Sequence, residues 1–509
     1  MESILLGFST LADPMVLLML TLGVVAGMIV GSIPGINDNI AFAVFIPFSF
    51  SMPPEQALAL MVGVYCAAAT GGAIPAIMIK VPGTAASLLT AIDGNAMARR
   101  GQAGRALSLA VTSSVIGGIA SAFVLLLFAP SLAKMALHFG YAENFALAIL
   151  GLSSVVGLLR GAVLKGLAAA MIGLLAANIG FSPTTGFARY TFGSINLIEG
   201  IPFVPLLVGL FGVAAMLELM TDIRRERRGG AGLSALPVIG SMRLGKGMIR
   251  RLAPVWAMSS AIGNVIGMLP GAGMLMAIFL AYDQASRRFR RHFAGKPGEP
   301  DWGDGAPEGI AAPEAANNAV TASSMVPLLS LGIPGNSTSA MFIGALAIHG
   351  MVPGPLLFTQ HGNIAWMIIV AFLAANILMW PVAWMVIKSV SRTVFAIPKE
   401  AMVGVIALLC LMGAYSDGNN LFNIWVAVVA GLVAFLMRLA ALPLGPAILG
   451  LVLGPQLETS LANALSISGG DWFVFIDPVG HPISAAMMAV SLLLWVMPML
   501  MRRRDAPAS

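Results

Sequence analysis

Four Pro-Gly pairs interrupt long apolar stretches of this 509-residue chain. The first pair lies in residues 31–39, and mostly apolar residues flank it at 15–30 and 40–50. Proline cannot continue a helical hydrogen-bond ladder, and glycine adopts backbone angles that other residues avoid. Inside a membrane such a break is tolerated only where protein or a water-filled cavity satisfies the freed backbone groups. The pattern therefore predicts helices that are broken within a membrane and line a cavity.

The breaks occur in matching places of two halves of the chain. Residues 267–273 repeat the first break, and each of these two breaks is followed by another at a comparable distance, at 81–87 and 333–339. Paired interruptions of this kind are typical of transporters with internal repeats. If the basic clusters are cytoplasmic, the two halves start on opposite sides of the membrane, which predicts an inverted repeat rather than a parallel one.

Composition also places the chain in a membrane. Its mean hydropathy is +0.91 and only 10% of its residues are charged, whereas soluble proteins carry about 25%. Uncharged runs at 111–129, 367–387 and 485–501 are near spanning length, and they lack the alternation of β-barrel strands. We predict an all-α polytopic membrane protein with about 11–14 membrane segments, including broken or re-entrant helices.

The net charge of +6 comes from clusters that indicate cytoplasmic loops rather than a nucleic-acid surface. Residues 1–13 hold no lysine or arginine, so we interpret 15–30 as a retained membrane segment and not as a signal peptide. The predicted organisation is a first transmembrane repeat at 1–221, a basic cytoplasmic loop at 222–252, a second, inverted repeat at 253–400, and C-terminal transmembrane helices at 401–509.

The sequence predicts no enzyme and no resident cofactor. Residues 240–246 have the spacing G-x-x-x-x-G-K, but Gly247 stands where a phosphate-binding loop needs serine or threonine. The five histidines are scattered without metal-ligand spacing, and the two cysteines lie in apolar segments. The one bound ion that the sequence indicates is a coupling ion, either Na⁺ or H⁺.

Three polar residues, Asn37, Asp38 and Asn39, follow the first break directly. Their oxygens, with the carbonyls that the break frees, have the ligand chemistry of a Na⁺ site. An acid in a membrane segment is a functional candidate. Helix capping is the alternative, because asparagine and aspartate are favoured N-caps and we predict that a helix restarts at Ile40. Both interpretations stay open for Asp38.

Hydroxyl residues follow the second and fourth breaks, at Thr84 and Ser87 and at Ser337, Thr338 and Ser339. Hydroxyls and free N–H groups at the positive end of a half-helix suit a carboxylate. Close packing of small residues between membrane helices is the alternative. We favour the substrate interpretation because both copies place the hydroxyls just after the break.

The candidate residues fall into two groups, which are separated by charge because the acid of the first triplet would repel a carboxylate. The predicted substrate-binding residues are Pro34, Gly35, Pro82, Gly83, Thr84, Ser87, Pro270, Gly271, Pro334, Gly335, Asn336, Ser337, Thr338 and Ser339. The predicted ion-coupling residues are Asn37, Asp38, Asn39, Asn317 and Asn318, with a candidate Na⁺ site at Asn37 and Asp38.

Taken together, the motifs resemble the large membrane subunit of the tripartite tricarboxylate transporters over residues 15–501. The segments that carry the resemblance are 31–36, 65–72, 82–94, 270–273, 307–318, 331–335 and 349–355. The resemblance implies a bacterial inner-membrane uptake system with a small membrane subunit, a periplasmic solute-binding protein, carboxylate substrates such as citrate, and coupling to an ion gradient. One position departs from it, since Lys80 stands where a neutral residue, commonly asparagine, is expected.

The sequence thus predicts a carrier subunit that imports a tricarboxylate or another carboxylate by ion-coupled alternating access, as a symporter. Substrate is expected to dock between the Pro-Gly breaks of the two repeats. A channel-like pore is one alternative, and it would more naturally show a ring of charges. A non-transporting membrane scaffold is the other, and it needs no breaks that face a cavity.

Overall fold

The computed structural model of the protein describes residues 2–34, 36–158, 163–229, 237–271, 273–389 and 399–502. These residues are almost entirely helical, which confirms the predicted all-α class. Among them, six helical stretches are long and apolar enough to cross a membrane: Pro14–Gly31, Pro54–Ile79, Thr90–Ala136, Phe203–Thr221, Gly362–Ser389 and Leu421–Leu439. The chain is therefore a multi-pass membrane protein, and the total of about 11–14 segments stays a prediction.

The first half consists of helices joined by short turns and one small antiparallel hairpin. Its helices are α1 (Glu2–Leu11), α2 (Pro14–Gly31), α3 (Asp38–Ser49), α4 (Pro54–Gly71), α5 (Ala73–Ile79), α6 (Thr90–Met97), α7 (Ala103–Ala136), α8 (Tyr141–Leu158), α9 (Val163–Ala177), α10 (Phe203–Leu207) and α11 (Ala214–Gly229). The hairpin pairs β1 (Gly180–Phe181) with β2 (Ala188–Arg189). Short 3₁₀ turns lie at Ala85–Ser87 and Ile195–Leu197, and π-helical turns lie at Ala98–Gln102 and Val208–Val213.

The second half is helical apart from its connections. Its helices are α12 (Lys246–Met268), α13 (Gly273–His292), α14 (Pro307–Ser323), α15 (Met325–Leu331), α16 (Ser337–Ile348), α17 (Pro355–Gln360), α18 (Gly362–Ser389), α19 (Lys399–Ser416), α20 (Leu421–Leu439), α21 (Leu444–Ile467) and α22 (Pro482–Arg502). A 3₁₀ turn at Trp472–Phe475 precedes α22.

The centre of the molecule is formed by α4 and α14, which are buried along nearly their whole length. Helix α2 packs along α4, and α7 packs along α14. Gly23, Gly27 and Gly31 lie four residues apart on α2, and a Cβ atom on any of them would come within 2.6 Å of a carbonyl oxygen of α4. This row of glycines lets the two backbones approach closely, as small residues commonly do between membrane helices.

The two halves repeat one local arrangement around their second breaks. The seven-residue helices α5 and α15 each end at a left-handed residue, Lys80 (φ 59°) and Gly332 (φ 76°). A Cβ atom on Gly83 of the following Pro-Gly pair would lie 2.7 Å from the carbonyl oxygen of Gly31. The corresponding distance from Gly335 to the Gly267 oxygen would be 2.8 Å. The breaks of each half thus pack on one another, whereas the inversion of the halves across the membrane stays a prediction.

Several helices extend further than the apolar runs indicate. Helix α14 begins at Pro307, as the Pro-Glu pair there indicates, and its polar first half is buried although it lies ahead of the apolar residues. Helix α3 begins at Asp38 and not at Ile40. Helices α11 and α12 enter the range 222–252 from both sides. A hydropathy pattern locates only the apolar part of such helices, since it carries no information on burial by neighbours.

An ion-pair cluster fixes the start of α14. The guanidinium of Arg251 donates to Glu308 at 2.6 and 3.1 Å and to Glu299 at 2.7 and 2.9 Å. It also lies 3.8 Å from the centre of the Phe293 ring. Glu308 is in the first turn of α14, as expected of an acid just after a helix-starting proline. The cluster ties α12, the connection at 293–306 and α14 together.

Glu308→Gln is expected to destabilise the protein by about 2 kcal/mol, less than the roughly 3–5 kcal/mol for a fully unpaired buried charge, because Glu299 still pairs with Arg251. Thermal unfolding in detergent, followed by tryptophan fluorescence, measures the effect. Glu299→Gln is the matched comparison and should cost less, since the Glu299 side chain is 22% exposed and that of Glu308 only 1%. Equal melting temperatures for wild type and Glu308→Gln would contradict the expectation.

Candidate functional site

All four Pro-Gly breaks contribute residues to one cavity of about 410 Å³. This volume is within the range of roughly 300–1,000 Å³ that is usual for small-molecule sites. The breaks supply Asn37, Asp38, Asn39, Ala85, Ala86, Gly271, Gly273, Pro334, Asn336, Ser337 and Thr338. The remaining wall is mostly apolar and comes from Met274, Leu275, Met276, Ala340, Gly445, Ile448 and Leu449.

At the first break, Asn37 caps α3, and the Asp38 side chain contacts the fourth break. The Asn37 side chain accepts the Ile40 N–H at 2.9 Å, so the capping role belongs to Asn37. The Thr338 hydroxyl lies 2.7 Å from a carboxylate oxygen of Asp38 and 2.7 Å from the side-chain oxygen of Asn39. A hydroxyl has one hydrogen and can donate to only one of these oxygens. Either the Asn39 amide is turned to donate, or Asp38 is protonated and donates to the Thr338 oxygen, or a cation sits among the three oxygens.

At the fourth break, Asn336 and Ser339 form a capping box that starts α16. The Asn336 side chain accepts the Ser339 N–H at 2.8 Å, and the Ser339 hydroxyl accepts the Asn336 N–H at 2.9 Å. The Asn336 amide also donates to the Tyr65 hydroxyl at 2.7 Å, which joins the break to α4. Ser337 and Thr338 line the cavity, whereas Ser339, which is occupied in the capping box, is not among the lining residues.

The third break is bonded directly to the fourth. The Gly271 N–H donates to the Gly335 carbonyl at 2.8 Å, and the Pro270 carbonyl accepts the Ser154 hydroxyl at 2.5 Å. Gly271 and Gly273 have φ angles of 71° and 72°, which glycine adopts without steric cost. Helix α13 begins at Gly273, and Gly445 is the second residue of α21, so the N-termini of α3, α13, α16 and α21 all lie at the cavity. Among the described lining residues, Asp38 is the one ionisable side chain.

The second break contributes small residues instead of hydroxyls. Ala85 and Ala86 line the cavity. The Thr84 and Ser87 hydroxyls lie 3.0 Å from each other, and both side chains are buried against Gly72. Pro82 and Gly83 are not among the lining residues, and the Lys80 side chain is exposed outside the cavity.

The other candidate residues lie away from the cavity lining. Asn317 and Asn318 are fully buried in α14 and face α4, where the Asn318 side chain accepts the Thr70 hydroxyl at 3.1 Å and the Asn317 amide donates to the Ala69 carbonyl at 3.3 Å. Pro34 is half-buried and is not a lining residue. Gly35 lies outside the described residues.

Sequence reasoning missed the apolar wall of the cavity. Gly445, Ile448 and Leu449 come from α21, which lies more than 100 residues beyond the fourth break. Pro443 and the Gly445-Pro446 pair mark the start of this helix, but no polar residue beside them indicates a site. Met274, Leu275 and Met276 follow the third break immediately and could have been included on proximity alone.

Comparison with known proteins adds independent information. A sequence model described as the tripartite tricarboxylate transporter TctA family matches residues 17–449. An Agrobacterium vitis protein, "Uncharacterized 52.8 kDa protein in TAR-I ttuC' 3'region", is 36% identical over 507 residues, which cover 98% of this chain and 97% of that protein. Another from the same organism, "Uncharacterized protein in TAR-II ttuC' 3'region", is 33% identical over 250 residues, which cover 48% of this chain and 97% of that protein. No solved structure matches the chain.

Proposed function

The chain belongs to the tripartite tricarboxylate transporter TctA family, and on that premise we propose that it is the large membrane subunit of a binding-protein-dependent secondary transporter. It imports a tricarboxylate or another carboxylate across the bacterial inner membrane by ion-coupled alternating access. Its partners are a small membrane subunit and a periplasmic solute-binding protein. The family is one of transporters, in agreement with the absence of enzyme motifs in the sequence.

The observation that carries this proposal is the meeting of all four breaks around one cavity. Discontinuous helices whose N-termini point at an anionic group form the substrate sites of many secondary transporters. Here α3, α13, α16 and α21 begin at the cavity. The Ser337 hydroxyl makes no hydrogen bond within the described part of the chain and is available to a ligand. We assign the substrate carboxylates to this hydroxyl and to the first N–H groups of α16.

The charge balance of the cavity supports symport with a cation. Each helix N-terminus acts as roughly +0.5 of an elementary charge, so the four at the cavity supply about +2, which Asp38 offsets by one. A tricarboxylate brings up to three negative charges, which exceed the positive charge that remains in the cavity. A cation that enters with it, Na⁺ among the oxygens of Asp38, Asn39 and Thr338 or a proton on Asp38, reduces this deficit.

Thr338 connects the proposed ion and substrate positions. Its hydroxyl contacts Asp38 and Asn39, while its backbone N–H belongs to the first turn of α16 beside Ser337. Residues 37–39 therefore share one cavity with Ser337 and Thr338 instead of forming a distant subsite. Binding of either ligand changes the surroundings of the other, and such coupling is reciprocal.

Transport by the reconstituted system tests the proposal. The chain and its small membrane subunit are placed in lipid vesicles, with the binding protein and radiolabelled citrate outside and a Na⁺ or pH gradient imposed. Accumulation that needs the binding protein and collapses with an ionophore is the expected result. Citrate flux that only follows its own concentration gradient would favour the channel instead.

Ser337→Ala is expected to raise the KM for citrate by about tenfold, because one hydrogen bond to a charged group is lost. The Na⁺ or H⁺ concentration for half-maximal uptake should stay unchanged, since Asp38, Asn39 and Thr338 are intact. Initial rates with citrate and the ion varied separately measure both quantities. A shift in the ion requirement without a shift in KM would contradict the assignment of Ser337.

A further inference from the structure

Glu314 is a buried carboxyl group that does not line the cavity. It lies in the middle of α14, whose residues are all buried, and it is 0% exposed. One carboxylate oxygen accepts the Thr90 hydroxyl of α6 at 2.6 Å, and the other accepts the Ser114 hydroxyl of α7 at 2.9 Å. Within the described part of the chain, these hydroxyls are the hydrogen-bond partners of the side chain, and no lysine or arginine pairs with it.

The charged groups around α14 are engaged elsewhere. Of the ionisable side chains on helices packed against α14, Tyr65 contacts Ser324, Cys66 contacts Asn376 of α18, Arg251 pairs with Glu308 and Glu299, and Tyr282 donates to Asp93. The arginine and lysine of α7 lie near its two ends, far along the helix from Ser114. Helix α15 and the turn at Ala85–Ser87 carry no ionisable residue. No cation on these elements is positioned to balance a charge on Glu314.

Two other buried acids, Glu308 of α14 and Asp93 of α6, have the partners that stabilise an ionised carboxylate. Glu308 is paired with Arg251. Asp93 accepts the Tyr282 hydroxyl at 3.1 Å and three backbone N–H groups at 2.8–3.0 Å, those of Gly303, Gly305 and Ala306. Glu314 has only two neutral hydroxyls. An ionised carboxylate so poorly compensated is costly in a membrane interior, and membrane acids of this kind commonly serve as proton relays.

We propose that Glu314 is a proton-binding site that couples the inward movement of protons to carboxylate uptake. This inference rests on the proposed transport function and gives its coupling ion a location separate from Asp38. A proton from the outer water binds the Glu314 carboxylate, crosses as the neutral acid, and is released to the inner water. One proton moves with each cycle of this site, and no electron transfer or covalent step is needed.

The geometry connects Glu314 to the cavity through α6. Thr90 is the first residue of α6 and lies four residues after Ala86 of the cavity lining. The ionised carboxylate accepts hydrogens from both Thr90 and Ser114 and so holds α6 and α7 against α14. The neutral acid carries its own hydrogen, so one of the two hydroxyls must accept instead of donate. Protonation therefore reverses the direction of one of these two hydrogen bonds, either at Thr90, just after the cavity-lining segment, or at Ser114 of α7.

Ser114 of α7 has another acceptor for its hydrogen when Glu314 is protonated. Ser113, its neighbour, donates to the Leu109 carbonyl one turn earlier at 2.7 Å, which is the usual bond for serine within a helix. Ser114 can turn to the carbonyl one turn earlier in the same way while its oxygen accepts the acid hydrogen. Both protonation states of Glu314 thus leave this hydroxyl satisfied.

The first test observes the proton directly and needs neither partners nor a known substrate. Infrared spectra of the full-length protein in lipid are recorded as pH is varied. The wild type should show the C=O stretching band of a carboxylic acid that disappears on deprotonation, and Glu314→Gln should lack it. Glu308→Gln is the matched control, because it removes another buried carboxyl of α14 and should leave the band. A wild-type difference spectrum unchanged by Glu314→Gln would overturn the proposal.

The second test asks what the proton does in transport. In vesicles that hold the chain and its partners, Glu314→Gln should lower citrate uptake driven by a pH gradient by at least about tenfold, in line with usual coupling free energies. Exchange of external for internal citrate, which needs no net proton movement, should persist. Full pH-driven uptake in the variant would reject the coupling role, as would wild-type uptake that follows Na⁺ and ignores the pH gradient.

These outcomes separate the inference from the function on which it rests. If wild-type vesicles accumulate citrate with a Na⁺ gradient alone, the transporter proposal stands and the proton role of Glu314 is rejected. If wild-type vesicles take up no citrate with either gradient while the infrared band titrates, the proposed function fails and the proton site itself stands. Loss of both net uptake and exchange in Glu314→Gln would indicate a structural role and count against coupling.

Discussion

Gly335→Ala is expected to reduce citrate uptake by at least about 100-fold, because even a shift of about 1 Å in a positioned site has effects of that size. An added Cβ atom at Gly335 would lie 2.8 Å from the carbonyl oxygen of Gly267 and 2.8 Å from the Cα atom of Ser324. Both neighbours are backbone atoms and cannot turn away. The substitution must therefore move the start of α16, which carries Ser337 and Thr338 of the cavity.

Initial uptake rates and thermal unfolding, measured together, distinguish a displaced site from an unfolded protein. Gly83→Ala should behave in the same way, since its Cβ atom would lie 2.7 Å from the Gly31 carbonyl oxygen. Gly404→Ala is the control, because that glycine is exposed on α19 and no atom lies within 4 Å of an added Cβ. Wild-type uptake in Gly335→Ala would mean that the breaks are not packed as described.

Asp38→Asn is expected to have the second large effect, and its two parts have opposite signs. The substitution keeps an acceptor for the Thr338 hydroxyl and removes the one ionisable group that the structure shows among the cavity-lining residues. Citrate should bind about tenfold more tightly, because a like charge beside the ligand is gone. Ion-driven accumulation should fall by at least about tenfold, because the cation loses its ligand charge.

Citrate binding measured by calorimetry and ion-driven uptake in vesicles give the two parts separately. Asp13→Asn is the matched control for capping: Asp13 caps α2 through the N–H groups of Met15 and Val16, and asparagine caps as well as aspartate. It should be nearly silent. If Asp38→Asn is equally silent in ion dependence, the ion-coupling role of Asp38 is rejected.

The positions of the breaks could be predicted from sequence because Pro-Gly is a local signal. Which neighbours of a break face the cavity could not, because that depends on how each half-helix is rotated against the others. At the second break, Ala85 and Ala86 line the cavity while Thr84 and Ser87 bond to each other. The residue types near a break therefore indicated a site, whereas the orientation of each side chain decided whether that residue lines the cavity.

The two Pro-Glu pairs of α14 also have different surroundings that their sequence does not distinguish. Pro307-Glu308 and Pro313-Glu314 look alike in sequence, and both indicate a helix start. The first is a helix start, with Glu308 bonded to Arg251. The second pair lies inside the helix, which continues through Pro313. Glu314 accepts hydrogen bonds from residues of α6 and α7. Only tertiary packing distinguishes a capping acid from a buried one.

The hydrogen bond from Gly271 to Gly335 has a mechanical consequence. It joins the two breaks of the second half, and the close contact of Gly83 with Gly31 joins those of the first. The contact of Thr338 with Asp38 and Asn39 then joins the two pairs of breaks to each other across the cavity. A ligand bound there touches both pairs at once, so any change in the spacing of one pair from the other alters its contacts on both sides.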